Sequence, residues 1–409
     1  MSGNCFDKLA ALVFADETIA ASLAGMTEPA ELAELAARLA PDHGLDHFDA
    51  SSLDLPGNDP LGLSRWSAPR VGGRTVPPRH WLPMHVAAGT NGILVDWTWF
   101  GPGRLSAPFF EDSVRRALTR PFARLFRYRT MLDDLVAQAG TCPARAPDGF
   151  VFHMSRCGST LAAQMLAALP HSIVVSEAAP IDAVAQLARS TTDAAGDTAV
   201  QALRAIIMTF GRLRAGDERR YVVKLDSWHA LALPLFRRAF PDVPWVFLYR
   251  DPVEVLVSQM RQRGTQMLPQ LFPPRFWGIE DDASRPDEDY CARVLDAICN
   301  AAADHAELGR GLVINYRDLP DAVLSAIAPH FGLALSKAER AAMQAAAQRD
   351  AKAPSEEFTP DGTAKRRDAS EAVLRATERH LQDPYHRLER VGCGTGIEVW
   401  PSGADHRRV

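Results

Sequence analysis

Three stretches of the 409-residue chain carry side chains whose types and spacing can do chemistry on an anion. The first is Phe152-His153-Met154-Ser155-Arg156-Cys157-Gly158-Ser159-Thr160-Leu161, which follows an apolar run and precedes a helical pattern. Small residues there aim backbone N–H groups and a helix N-terminus at one point, which makes an anion site without net charge. Arg156 adds a fixed cation two residues before Gly158. The usual nucleotide-hydrolase loop needs a Lys directly before Ser or Thr, and none stands before Ser159 or Thr160. Taken alone, the stretch also reads as a tight turn that merely needs Gly158. The second, Trp245-Val246-Phe247-Leu248-Tyr249-Arg250-Asp251-Pro252, releases Arg250 from the end of an apolar strand, where ligands of open parallel sheets collect. Pro252 suits the first turn of a helix, and Ser258, eight residues after Arg250, lies about two turns along it. By itself Arg-Asp-Pro is also a common surface turn. The third is a pair of charges at strand ends, Glu177 and Lys224. Each alone reads as a solvated charge. With Arg156 they all fall at the C-terminal ends of predicted parallel strands, which converges them on one crevice.

The elements that must position these groups are short apolar runs alternating with helical patterns. Strands are predicted at Phe150–His153, Ser172–Val175, Tyr221–Val223, Trp245–Leu248 and Leu312–Ile314, with helices beginning near Ser159, Ile181, Trp228 and Val253. Continuous apolar strands separated by helices predict a parallel sheet covered on both faces, an α/β fold. The tail continues as helices from Lys337 to Gln348 and from Ala369 to Leu381, with a polar, mobile stretch from Asp350 to Asp368 between them.

The first 145 residues read differently, as an α+β accessory region. Glu28 to Ala40 has helical periodicity, and Pro41 to Arg79 reads as loop. Val86–Ala88 and Ile93–Val95 flank Gly89-Thr90-Asn91-Gly92, a hairpin signal in which Asn-Gly supplies the positive φ angles. A basic, aromatic-rich helical stretch is expected from Phe109 to Ala139. Trp81, Trp97, Trp99 and Phe100 make either a small core or a docking face for the larger domain. No chemistry is readable in this region.

Composition removes other classes. A net charge of -5 with 47% hydrophobic and 23% charged residues is ordinary for a globular chain of two or three domains. A nucleic-acid partner or a disordered chain is disfavoured. Cys5, Cys142, Cys157, Cys291, Cys299 and Cys393 show neither metal-site nor disulfide spacing, so free thiols and no bound metal are expected. The first residues lack a basic leader and carry Asp7, Lys8, Asp16 and Glu17, and no run of about 18 uncharged apolar residues occurs. The default is a cytoplasmic protein with no membrane partner.

Arg156-Cys157-Gly158-Ser159-Thr160 resembles the phosphosulfate-binding loop of the sulfotransferase superfamily: a cation, Ser, Gly and two hydroxyl residues, with Cys157 replacing Ser. The Arg250-Asp251-Pro252 strand end with Ser258 resembles that family's 3′-phosphate motif, and Val313 to Leu319 resembles its late strand. Glu177 and Lys224 fall where the tyrosylprotein sulfotransferase-like branch has its general base and catalytic Lys. The resemblance covers residues 146–390, leaving 1–145 and a tail at 391–409 outside it.

It implies a P-loop-containing three-layer fold, a central parallel sheet flanked by helices. It further implies in-line transfer of a sulfuryl group from 3′-phosphoadenosine 5′-phosphosulfate (PAPS) to a hydroxyl, less readily an amine, of a small molecule or peptide. Glu177 would be the base, with His153 and His229 as rivals, and Arg156 and Lys224 would stabilise the leaving phosphate. Arg156, Cys157, Gly158, Ser159, Thr160, Arg250 and Ser258 would bind the donor. Lys365 and Arg366 would close over it, unless the 365–367 run is simply a solvated charge cluster, and Tyr316 would contact it or sit in the core. The other readings are an ATP-dependent P-loop phosphotransferase and a silent nucleotide-binding scaffold.

Overall fold

The computed structural model describes residues 3–44, 53, 59, 62–190, 196–280, 286–352 and 362–394. The segment 353–361, within the stretch expected to be mobile, and the tail from 395 lie outside the described residues.

Two sheets organise the chain. The first contains β1 (Val71–Gly72), β2 (Trp81–Gly89), β3 (Gly92–Trp99) and β4 (Tyr128–Met131) in the order β1-β4-β3-β2. The second contains β5 (Gly149–His153), β6 (Ser172–Ser176), β7 (Arg220–Lys224), β8 (Trp245–Tyr249) and β9 (Gly311–Asn315) in the order β6-β7-β5-β8-β9, every pairing parallel. All five expected strands are present within a residue or two at each end. Their apolar runs are buried on both faces because helices cover them: β5, β6 and β8 are fully buried along their length. The helices Ser159–Ala167, Ala179–Ser190 and Pro252–Arg261 follow β5, β6 and β8. Order and direction put His153, Ser176, Lys224, Tyr249 and Asn315 at one edge of the sheet.

The N-terminal region departs from expectation in two places. Between Phe109 and Ala139 the chain forms helices Phe110–Leu118 and Pro121–Leu125, then β4, then helix Leu132–Ala137. Pro121 cannot continue a helix and opens a new one, and Tyr128–Met131 pairs antiparallel with β3, where Arg129 clasps Asp96 through bonds of 2.5 and 2.7 Å. Long-range pairing thus overrides local helical preference. The hairpin forms as expected, but of Asn91 and Gly92 only Gly92 lies at positive φ. Helices Gly3–Ala15, Asp197–Phe210 and Asp287–Asp304 were not anticipated.

The tryptophans serve as both core and docking face. Trp81 and Trp97 are fully buried, and Trp81 packs edge-on against Trp99 at 4.5 Å. From the α/β side, Arg212 lies over Trp97 and donates to the carbonyls of Pro77, Pro78 and Trp81. Arg214 bonds the Gly101 carbonyl, and Arg104 bonds those of Ala167 and Leu169. One apolar core runs through both regions. Among the described residues, no helix is long and apolar enough to cross a membrane, and Cys142, Cys157, Cys291 and Cys299 are free thiols.

Candidate functional site

The loop after β5 is wound tightly by local bonds. The His153 imidazole donates from Nε2 to the Leu225 carbonyl (2.9 Å) and accepts the Ser155 N–H at Nδ1 (3.0 Å). Both nitrogens are thereby engaged, and burial lowers its proton affinity further. This turn holds Ser155 at φ 78° and Arg156 at φ 52°, left-handed conformations that are rare for residues with side chains. Such strain persists only where its surroundings enforce it, and it clusters at ligand sites. Gln259, fully buried, braces the loop from the helix Pro252–Arg261 by bonding the Ser155 hydroxyl at 3.1 Å and the Gly264 N–H at 2.8 Å.

Gly158 completes the turn at φ 80° and leads into the helix Ser159–Ala167, whose first N–H groups lack intrahelical partners. A Cβ at this position would come within 2.7 Å of the Tyr316 ring and 2.8 Å of Leu319, so both conformation and space require glycine. The Cys157 thiol points away from this surface. It donates to the Leu248 carbonyl at 3.0 Å, is fully buried, and has its pKa pushed up to about 12 by burial. Cys157 therefore contributes backbone to the loop and pins it to β8.

Register explains the next group. Tyr249 pairs with Asn315, so Arg250 and Tyr316 emerge side by side, and the Arg250 guanidinium lies 4.0 Å over the Tyr316 ring. Arg250 is 5% exposed and is held by Glu254 at 2.7 Å. Arg156, Cys157, Gly158, Ser159, Thr160, Arg250, Ser258, Tyr316 and Lys365 line one cleft of about 230 Å³. Tyr316 is therefore a cleft residue. Arg366 is not among the lining residues: it turns outward to Asp251 (2.7 Å) and to the second oxygen of Glu254 (3.0 Å). The sequence did not single out Asp350 and Lys352, which also line the cleft. No local motif announces them, because a polar stretch reaches the loop only through tertiary folding. Desolvation, with repulsion from Arg156 and Lys224, lowers the proton affinity of the Lys352 amine.

Glu177 and Lys224 stand beside this cleft without lining it. Ser176 pairs with Lys224 across β6 and β7, and the next residue, Glu177, takes φ 52° and donates its N–H to the Lys224 carbonyl at 2.8 Å. Its carboxylate bonds the Lys224 ammonium and lies 3.4 Å from His153 Nε2. Lys224 is fully buried, with Nζ 5.3 Å from the Phe109 ring centre. Burial alone would raise the Glu177 pKa, but Lys224 and His153 outweigh it and hold the carboxylate well below the usual range. Arg156 feels the Glu177 charge, and its own Nη2 donates to the Gln262 carbonyl at 2.8 Å. Arg156, Glu177 and Lys224 are thus brought together as their strand-end positions implied.

His229 is held elsewhere. It accepts the Asp226 N–H at Nδ1 (3.2 Å) and bonds Asp182 through Nε2 (3.0 Å), an arrangement that caps the turn Ser227–Ala232. Asp182, Asp226 and His229 are the one group among the described residues whose atoms are close enough to share a metal ion. With both ring nitrogens occupied, His229 is set up as a cap.

A sulfotransferase family model matches residues 147–337. No curated protein matches the chain. Among solved structures the chain is similar to the sulfotransferase domain from the curacin biosynthetic pathway, at 15% identity and a TM-score of 0.36, covering 62% of this chain and 98% of that one. It is similar to sulfotransferase STF9 from Mycobacterium avium at 13% identity and a TM-score of 0.37, covering 60% and 79%. A third is mouse sulfotransferase SULT7A1 complexed with PAP, at 10% identity and a TM-score of 0.34, covering 63% and 92%.

Proposed function

We propose that this chain, whose residues 147–337 match a sulfotransferase family model, is a transferase that moves a sulfuryl group from PAPS to a hydroxyl acceptor. The observation that carries this reading is the convergence of a strained, N–H-rich loop with Arg156, Arg250, Ser258 and Lys365 on a single cleft beside the Glu177–Lys224 pair.

The donor residues fit a ligand with anionic groups at both ends. The loop from Arg156 to Thr160 would hold the phosphosulfate, where Gly158 leaves no room for a Cβ and the helix start offers unpaired N–H groups. Arg250 and Ser258 would hold the 3′-phosphate, with Tyr316 and Glu254 fixing the guanidinium plane. When bound, PAPS supplies an activated sulfuryl group and leaves as adenosine 3′,5′-bisphosphate.

The chain's own work is positioning, charge stabilisation and one proton transfer. Arg156 and Lys224 would face negative charge as it develops on the departing phosphate. Glu177 would take the acceptor's proton. Paired with Lys224 it is a weak base, but the pairing supplies its own remedy. As the ammonium turns toward developing negative charge, the carboxylate loses its counter-ion and gains proton affinity. His153, with both nitrogens committed, would hold the loop and orient Glu177.

Calorimetric titration of adenosine 3′,5′-bisphosphate against ATP tests the donor assignment. The bisphosphate is expected to bind more tightly, and Arg250→Ala to weaken it by about ten- to a hundredfold while leaving ATP little changed, as for loss of a charge-assisted bond of about 1.5–3 kcal/mol. Preference for ATP in the wild type would sink the reading and favour a phosphotransferase.

A further inference from the structure

The far side of the molecule holds a second, larger cavity, of about 550 Å³, where the connector 138–144 meets the helices Leu132–Ala137 and Asp197–Phe210. It lies away from the donor cleft. Ala144 precedes the first residue of β5 and Arg212 precedes the first of β7, so the cavity sits toward the N-terminal ends of strands whose C-terminal ends carry Arg156 and Lys224.

At its base is Arg212, 3% exposed. Nη1 donates to the Pro77, Pro78 and Trp81 carbonyls, while Nε and Nη2 make no hydrogen bond among the described residues. No described carboxylate lies within ion-pair distance of it, and Cys142 is also in the cavity lining. A buried guanidinium with no anion is costly, and buried charges are ordinarily paired. Arg129, the corresponding cation inside the first sheet, has its Asp96. Nε and Nη2 lie on one edge of a guanidinium, spaced to donate to the two oxygens of a carboxylate side-on. Leu135, Val136, Ala205 and Met208 supply apolar wall, and Arg204 a second cation at the exposed rim. The volume falls within the range of small-molecule sites.

We propose that this cavity binds an amphipathic organic carboxylate, its carboxylate clamped by the Nε and Nη2 edge of Arg212 and its hydrocarbon against Leu135, Val136, Ala205 and Met208. The site is independent of sulfuryl transfer, and its failure would leave that reading untouched.

The test titrates the full chain with hexanoate, hexan-1-ol and sulfate at low ionic strength. Mass-mapped alkylation of Cys142 by iodoacetamide serves as a local footprint. Hexanoate is expected to bind and to shield Cys142, with hexan-1-ol and sulfate each at least about tenfold weaker. Arg212→Lys, which keeps the charge and loses the fork, should weaken hexanoate by about tenfold or more. Because Arg212 also ties the two regions together, Ala139→Trp at the exposed rim provides a second variant that narrows the mouth without touching the junction. It should reduce both binding and Cys142 protection. Equal binding of hexanoate and hexan-1-ol, stronger binding of sulfate, or hexanoate affinity unchanged in both variants would overturn the proposal and leave Arg212 as a strut between the regions.

Discussion

The edge of the parallel sheet and the small N-terminal sheet use charge in opposite ways. In the N-terminal sheet, Asp96 and Arg129 neutralise each other across paired strands, Trp97 Nε1–H bonds the Thr130 hydroxyl, and Trp81 Nε1–H bonds the Phe126 carbonyl. Its left-handed residue on those strands is a glycine, Gly92. At the parallel sheet's edge, Ser155, Arg156 and Glu177 are held left-handed, and the cleft is lined by Arg156, Arg250, Lys352 and Lys365 against Asp350. The strands of the first region bond their buried Asp96, Thr98 and Thr130 internally and serve the core. The second keeps strain and an excess of cations, which is the condition of a surface built to meet an anion.

Substitutions at the cleft edge should separate catalysis from stability most sharply. Arg156→Ala and Glu177→Gln are each expected to lower kcat by about 10²–10³-fold, with donor affinity little changed in the second. Unchanged turnover in Glu177→Gln would move the base to another group. The opposite separation is expected in the N-terminal sheet. Trp81→Ala should cost about 3–5 kcal/mol in denaturant unfolding, while folded protein keeps the donor affinity of the wild type. A matching loss of affinity would show that the two regions are not divided as described.

Gly158→Ala joins the two kinds of effect. Strain at φ 80° and a clash with Tyr316 should together lower stability by about 1–3 kcal/mol and weaken the donor as well, read by thermal unfolding and titration.

The smallest effect concerns pH. The Glu177 pKa is depressed, so its stabilising pairing is fully present above the ordinary carboxylate range and is lost only as pH falls through the depressed value. No acid limb from Glu177 is therefore expected in the kcat profile between about pH 5 and pH 8. Asp226 runs the other way. Burial, and then the Glu177 and Asp182 charges, raise its pKa, so its ionisation costs stability as pH rises from the ordinary carboxylate range toward the raised value. Asp226→Asn, which keeps an oxygen to cap the His229 N–H, should gain stability over the wild type at about pH 7 relative to about pH 4, measured by unfolding at the two values.

The contrast between regions also explains what could be read in advance. The five parallel strands are continuous apolar runs, and the loop from Arg156 to Thr160 is contiguous, so both were legible. Strand-end reasoning carried Glu177 and Lys224 to each other because register places consecutive strand ends together. β4 was hidden because its stability comes from β3, more than thirty residues away. Lys352 was hidden because its place in the cleft depends on how the whole C-terminal region packs. Arg366 looked equivalent to Lys365 in sequence, but adjacent helical residues face different directions, and only Lys365 faces the cleft. The role of Cys157 in anchoring the loop to β8 emerged only with the Leu248 carbonyl beside it.

Sulfuryl transfer itself is open to a direct assay. Incubating the full chain with ³⁵S-labelled PAPS and a fractionated pool of hydroxyl-bearing metabolites and peptides, with Arg156→Ala as control, tests it most directly. A labelled sulfate ester is expected from the wild type, reduced by about a hundredfold or more in the variant. Label that stays on PAPS, or appears equally with Arg156→Ala, would contradict it.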